Sequence, residues 1–219
     1  MDMNLPFGVE QFFAVFTAYN RAIWPFQIVA YALGAFAVGA ILSGRSPARE
    51  RIVFTVLSLL WAWNGVAYQL MFFSPVNPVA KVFAGLFVAQ AALFAVYAVI
   101  APPELRFELR AGWQPIAGLA LILYSALVYE ILGIAAGHGL MNGPLFGVAP
   151  CPSTIFTIGL LLLLGGRSVV PLSVIPVIWA LIGTGAALML QVREDLGLAI
   201  AGLILIISLT SDWLRRPQS

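Results

Sequence analysis

Apolar residues in this chain come in long unbroken blocks, and the polar residues gather in the short stretches between them. Blocks at about residues 22–42, 52–72, 82–101, 115–136, 169–190 and 196–214 carry at most one charged side chain each. Each is about twenty residues long, enough at ~1.5 Å per residue to cross roughly 30 Å of hydrocarbon. Within a block the apolar positions fill every side and leave no wet stripe. The period-two alternation of a membrane barrel is absent too, so the backbone groups must be satisfied inside each segment, as α-helix. A further block, 154–164, is short of a crossing unless residues 150–153 already lie within the membrane, which predicts a broken or tilted helix. Ahead of the first block, residues 1–20 are too short and too mixed to span. There Phe12, Phe13, Phe16 and Tyr19 recur at helical spacing with Glu10 and Asn20 toward water, the pattern of a helix lying in the interface plane. The predicted fold class is all-α, a polytopic membrane protein of seven transmembrane helices behind an N-terminal interfacial segment.

One stretch returns. Residues 61–77 (WAWNGVAYQLMFFSPVN) and 179–195 (WALIGTGAALMLQVRED) align without a gap at Trp61/Trp179, Ala62/Ala180, Gly65/Gly183, Leu70/Leu188 and Met71/Met189, with Asn77 opposite Asp195. Upstream, Gly44-Arg45-Ser46 matches Gly166-Arg167-Ser168 once four residues are skipped. Such self-similarity points to two copies of one unit, although apolar stretches also match by chance. The domain plan that follows has an interfacial segment 1–20, then a transmembrane domain 21–214 and a tail 215–219. Within the domain, residues 21–101 form a first three-helix half, 114–137 a linker helix and 150–214 a second half.

Composition agrees with the blocks, since 62% of the 219 residues are hydrophobic and 9% charged. The net charge of +2 does not indicate a nucleic-acid partner, because the basic residues sit in loops between spans and act as topology signals. Arg45, Arg49, Arg51, Arg106, Arg110, Arg167, Arg215 and Arg216 fall on one side of a seven-span bundle, and Arg21, Lys81 and Arg193 on the other. The richer side is expected to be cytoplasmic, with the C-terminus there and the N-terminus outside. The start MDMNLPFGVEQ lacks a basic region running into a short apolar core, so no cleavable signal peptide is expected. A single cysteine, Cys151, excludes an internal disulfide.

The phrases AYNRAIWP, FFSPVNPVAKVF, GVAPCPSTIFTIG and IPVIWALIG resemble recurring blocks of an uncharacterised family of bacterial multi-pass inner-membrane proteins. The resemblance implies a bacterial integral membrane protein and no particular chemistry. The three-plus-one-plus-three plan also resembles that of small sugar transporters of the SWEET and PQ-loop type, in plan only and with no residues carried over.

Candidate chemistry is sparse. Glu130 is an ionisable group inside a span, which normally faces the protein interior with a partner. It serves either as a proton- or cation-responsive group lining a cavity or as a hydrogen-bonded packing element, with Gly133 and Gly137 nearby to admit another helix. Trp61, Asn64 and Tyr68 share a helix face, with Gln69 beside them. That stripe suits gripping a small solute, and equally suits hydrogen bonding between helices. Tyr129 joins Glu130 in the same outer half. His138 and Cys151, with Met141 and Met71, are weak candidates for a soft-metal site; alternatively Pro150-Cys151-Pro152 shapes a re-entrant turn. Asn77 and Asp195 are expected to cap the helices that follow them. No nucleophile stands with a base or metal to activate it, the only lysine is at a loop edge, and no phosphate-binding glycine loop is present, so neither an enzyme nor a resident cofactor is expected. The expected function is a small carrier or channel-like protein for a small solute or ion, with an outward-facing polar cavity around Glu130. The alternative is a non-transporting subunit or scaffold that binds partner helices, a second copy or membrane lipid.

Overall fold

The computed structural model describes residues 7–44, 46–137, 139–165, 169–190 and 192–214. Arg45, His138, residues 166–168 and the tail 215–219 lie outside the described residues, and with them one arm of the glycine-arginine-serine repeat. The chain is helical almost throughout. After α1 (Val9–Ala22) it turns by 86° into α2 (Phe26–Leu42), with Pro25 at the bend. Helix α3 (Pro47–Trp63) starts from an N-cap, Ser46, whose hydroxyl accepts from Ala48 N, and continues without a break as π-helical turns over Asn64–Phe73. Helix α4 (Ala80–Ile100) follows a proline-containing turn. Next, α5 (Trp113–Leu123) passes through a short π stretch into α6 (Tyr129–Ala135), so that residues 113–135 form one continuous rod. Helices α7 (Pro150–Leu163), α8 (Val169–Leu190) and α9 (Leu196–Leu214) complete the chain. Two residues ahead of α5, β1 (Arg106–Phe107), and the two that follow α7, β2 (Leu164–Gly165), pair antiparallel and tie the approach to the 113–135 rod to the end of α7.

Among the described residues five helices are long and apolar enough to cross a membrane, or six if the bent α1–α2 pair counts as one span. Two of the seven expected spans are shorter than a crossing needs. Helix α2 has 17 residues and α7 has 14, or ~26 Å and ~21 Å at 1.5 Å per residue. The shortfall in α7 has a clear cause: residues 143–149, which precede it, are buried but not helical. Every residue of α7 except the half-buried Cys151 is buried as well.

A helix that begins inside a protein leaves its first N–H groups without partners. In α7 two of the first three residues, Pro150 and Pro152, have no N–H, which leaves only that of Cys151. The buried loop ahead of it is satisfied by side chains from three helical segments. Tyr19 donates to Val148 O at 2.8 Å, Asn20 to Gly143 O at 2.9 Å and Asn64 to Gly147 O at 3.0 Å, while Glu130 accepts from Phe146 N at 2.9 Å. Gly147 is required here on two counts. Its φ is +72°, and a Cβ would sit 2.7 Å from that of Ala30. On its other side α7 packs against α5 with backbones almost touching, because a Cβ on Gly118 would lie 2.6 Å from Gly159 O.

Helix α8 solves a related problem. Pro176, in its interior, cannot donate to Leu172 O four residues back. Gln90, fully buried on α4, donates its Nε2 to that carbonyl at 3.1 Å.

Candidate functional site

The 61–77 stretch forms one wall of the largest cavity described. In π-helical turns the inner face recurs every four to five residues, and Asn64, the pair Tyr68–Gln69, and Phe73 are buried at that spacing. Asn64 faces the α7 lead-in. One turn further on, Tyr68, Gln69 and Phe73 face a cavity of about 330 Å³. Phe12 and Phe16 of α1 and the α8 segment from Trp179 to Leu190 form the other walls, and Pro150 and Cys151 at the start of α7 lie against it. Asn77 and Asp195, the matching ends of the repeated stretches, both reach it too.

The walls are aromatic and aliphatic, so the few polar atoms define what the cavity can hold. Gln69 is fully buried, and among the described residues neither its Nε2 nor its Oε1 has a hydrogen-bond partner. An unmade pair of this kind inside a membrane protein costs free energy until something supplies the missing donor and acceptor. Asp195, 3% exposed, accepts a hydrogen bond from the Tyr129 hydroxyl. Tyr124 holds the same turn by donating to Glu194 O at 2.7 Å. The Cys151 thiol stands between the Asp195 carboxyl and the Trp179 indole. Gly183 lies at this corner, where a Cβ would come within 2.6 Å of Leu198 Cδ2 and 3.6 Å of both Cys151 Sγ and Trp179 Nε1. Among the described residues no Lys or Arg lines the cavity.

The mouth is lateral. Asn77, Pro144, Val192 and Asp195, which lie toward the end of the bundle, are buried. The exposed lining residues are Leu181, Gly185 and Met189, one turn apart on the outer face of α8.

Residues 9–217 match a family described as a family of unknown function (DUF6064). The chain belongs to this family. No curated protein and no solved structure matches it. In this DUF6064 chain the residues singled out by sequence separate into three places. Tyr68 and Gln69 line the cavity, and Tyr129 reaches it through Asp195. Trp61 and Asn64 sit deeper in packed protein: Trp61 donates to Thr157 Oγ1 at 2.8 Å, and Asn64 Nδ2 contacts Leu60 O, Gly147 O and Ser153 Oγ. Glu130 is half-buried on the far side of the 143–149 loop, where the adjoining space is about 10 Å³. Gly133 there faces Glu194 rather than a neighbouring helix.

Cys151 is at the cavity, whereas Met71 is 63% exposed on the outer surface and His138 is outside the described residues. Among the described residues no three His, Cys, Asp or Glu side chains cluster as metal ligands do. Asn77 Oδ1 accepts from Val79 N at 3.2 Å in the turn ahead of α4, whose N-cap position is Val79 and has no side-chain bond. Asp195 instead takes the Tyr129 hydroxyl. Trp179 and, on α1, Phe12 and Phe16, which also line the cavity, stand out in the sequence only as a repeat match and as an interfacial helix, not as site residues.

Proposed function

We propose that the protein is a small multi-pass carrier of a bacterial inner membrane, with its binding site at the Gln69–Asp195 cavity. The observation that carries this is Gln69, buried without a partner in a space large enough for a ligand. In this scheme the membrane is crossed seven times, and one crossing is discontinuous, made by the 143–149 loop and α7 together. Non-helical backbone is tolerated at such depth where it is buried in protein or lines a cavity, and half-helix ends meeting a site are a feature of carriers. Helices α2–α4 and α7–α9 are the two halves, and the 113–135 rod is the linker. In support, α3 pairs with α4 as α8 does with α9, and Trp61 and Trp179 both contact Phe87, with ring centroids 4.4 and 4.9 Å apart. Helix α1 lies along the interface, consistent with its 86° angle to α2. Arginines 49, 51, 106 and 110 mark the cytoplasmic end and the cavity belongs to the outer half.

Reconstitution tests this directly. Purified protein in phosphatidylcholine vesicles is expected to raise the flux of at least one member of a panel of urea, acetamide, glycerol, dodecanol and protons. Gln69→Leu is expected to remove that flux. Fluxes no greater than in protein-free vesicles between pH 5 and 8 would refute the carrier. A second reading, a non-transporting lipid-binding subunit, is favoured by the lateral mouth. Retained ligand binding without flux is its signature.

A further inference from the structure

The mouth and the polar atoms of the cavity together restrict its occupant. Access runs past Leu181, Gly185 and Met189 on a face of α8 that is apolar and exposed, while the residues toward the bundle end are buried. Along a span such a face meets lipid, so what enters there is already dissolved in the membrane. Inside, the walls offer aromatic and aliphatic surface, with Phe16, Tyr68 and Phe73 stacked on one another at centroid distances of 4.8 and 5.6 Å. At about 330 Å³ the space equals that of roughly eleven waters at ~30 Å³ each. That is near the small end of ligand pockets.

The head of the occupant must answer Gln69, a lining residue whose amide NH2 and carbonyl oxygen have no partner among the described residues. An anionic head would find no Lys or Arg on the lining and would face the Asp195 carboxyl. A quaternary ammonium would leave both ends of Gln69 unmade, and a bare carbonyl would leave Oε1. A hydroxyl or a carboxamide satisfies both at once. We propose that the cavity takes a neutral amphiphile, with a hydroxyl or carboxamide head at Gln69 and an apolar body, that enters sideways from the bilayer between α1 and α8. The assignment rests on the cavity being the binding site of the carrier, and names the class of molecule it holds.

Cys151 is the only cysteine and lies at the cavity, so its alkylation reports occupancy. The full-length protein in phosphatidylcholine nanodiscs is treated with N-ethylmaleimide at rising membrane fractions of dodecanol, dodecanamide, dodecanoate or dodecyltrimethylammonium. Dodecanol and dodecanamide are expected to protect Cys151 and the two charged probes to protect it far less. Gln69→Leu should raise the half-protecting fraction of dodecanol about tenfold, the loss expected for one to two hydrogen bonds. Gly185→Trp provides a second handle, because a Cβ at Gly185 meets nothing within 4 Å and the position is exposed on the outer face of α8. It should slow both alkylation and protection. Equal protection by all four probes, protection by the ammonium that disappears in Asp195→Asn, or no effect of Gly185→Trp would each overturn the proposal. Flux of urea or glycerol with no dodecanol protection overturns it while leaving the carrier standing. Dodecanol protection without any flux does the reverse.

Discussion

Gln90 and Pro176 are 86 positions apart in the sequence, yet the structure makes each the reason for the other. Pro176 deprives Leu172 O of its helical donor, and Gln90 Nε2 replaces that donor from α4 at 3.1 Å. In Gln90→Leu the carbonyl is stranded in a buried position, which costs ~1–3 kcal/mol. Measured hydrogen bonds between membrane helices average only ~0.6 kcal/mol and reach ~1.7, because the unfolded chain in the membrane also finds partners. Deleting Gln90 Oε1, which has no partner, returns part of the loss. A net destabilisation of ~1–1.5 kcal/mol, roughly tenfold in the folding equilibrium, is the expected result. In a Pro176→Ala background the new N–H can close the helix onto Leu172 O, and Gln90→Leu should then cost almost nothing. A double-mutant cycle, with unfolding by sodium dodecyl sulfate in mixed micelles, measures the difference as a coupling of ~1 kcal/mol. Equal costs of Gln90→Leu in the two backgrounds would show that Gln90 does not stand in for the missing amide.

Asn64→Leu removes the donor to Gly147 O in the buried loop, and is expected to cost ~1–2 kcal/mol. Ser58→Ala should cost less, because the acceptor, Ala91 O, is inside a regular helix; a thermal shift no larger for Asn64→Leu would contradict this. Gly147→Ala meets both a left-handed φ and the Ala30 Cβ and should lose ~2 kcal/mol or more, whereas Gly39→Ala, with nothing within 4 Å, should gain ~0.5–1 kcal/mol from helix propensity. The two melting temperatures moving in the same direction would count against it. Cysteines introduced at Ser74 and Ser46 in a Cys151→Ser protein should be labelled by an impermeant maleimide from opposite faces of sealed vesicles. Labelling of both from one face would refute the placing of these turns at opposite ends of the bundle.

Much of the helical frame was legible in the sequence, because apolar blocks of twenty residues have few other ways to satisfy their backbones. The predicted segments 169–190 and 196–214 coincide with α8 and α9, and 115–136 falls two residues from the rod at its start and one at its end. Block 154–164 could not be placed as a full crossing, and the reason lies in tertiary structure. The loop that leads into α7 is held by Tyr19, Asn20, Asn64 and Glu130, which are 80 or more positions away except for Glu130. Periodicity does not register partners so distant.

The candidate site was legible in part. Tyr68, Gln69 and Tyr129 stand out as polar groups in apolar blocks, and they do converge on one space. Glu130 stands out for the same reason and serves a backbone amide instead, since a lone acid in a span advertises that it needs a partner without naming which. Trp179 and Gly183 stood out only as the repeat partners of Trp61 and Gly65, with no polar signal of their own. Their importance comes from the neighbours Cys151 and Asp195, which only the folded chain brings near.

A 14-residue helix whose first turn contains two prolines offers the insertion machinery too little hydrophobic length to be released into lipid by itself. Its close seat against Gly118 is available only after α5 is in place, and its remaining cover arrives with α8 and α9, which are synthesised later. Biogenesis of this protein is therefore a collective event around α7. A nascent chain halted just beyond Leu163 would hold the partners of the lead-in but present the quality-control proteases of the membrane with an apolar segment that α8 and α9 do not yet cover.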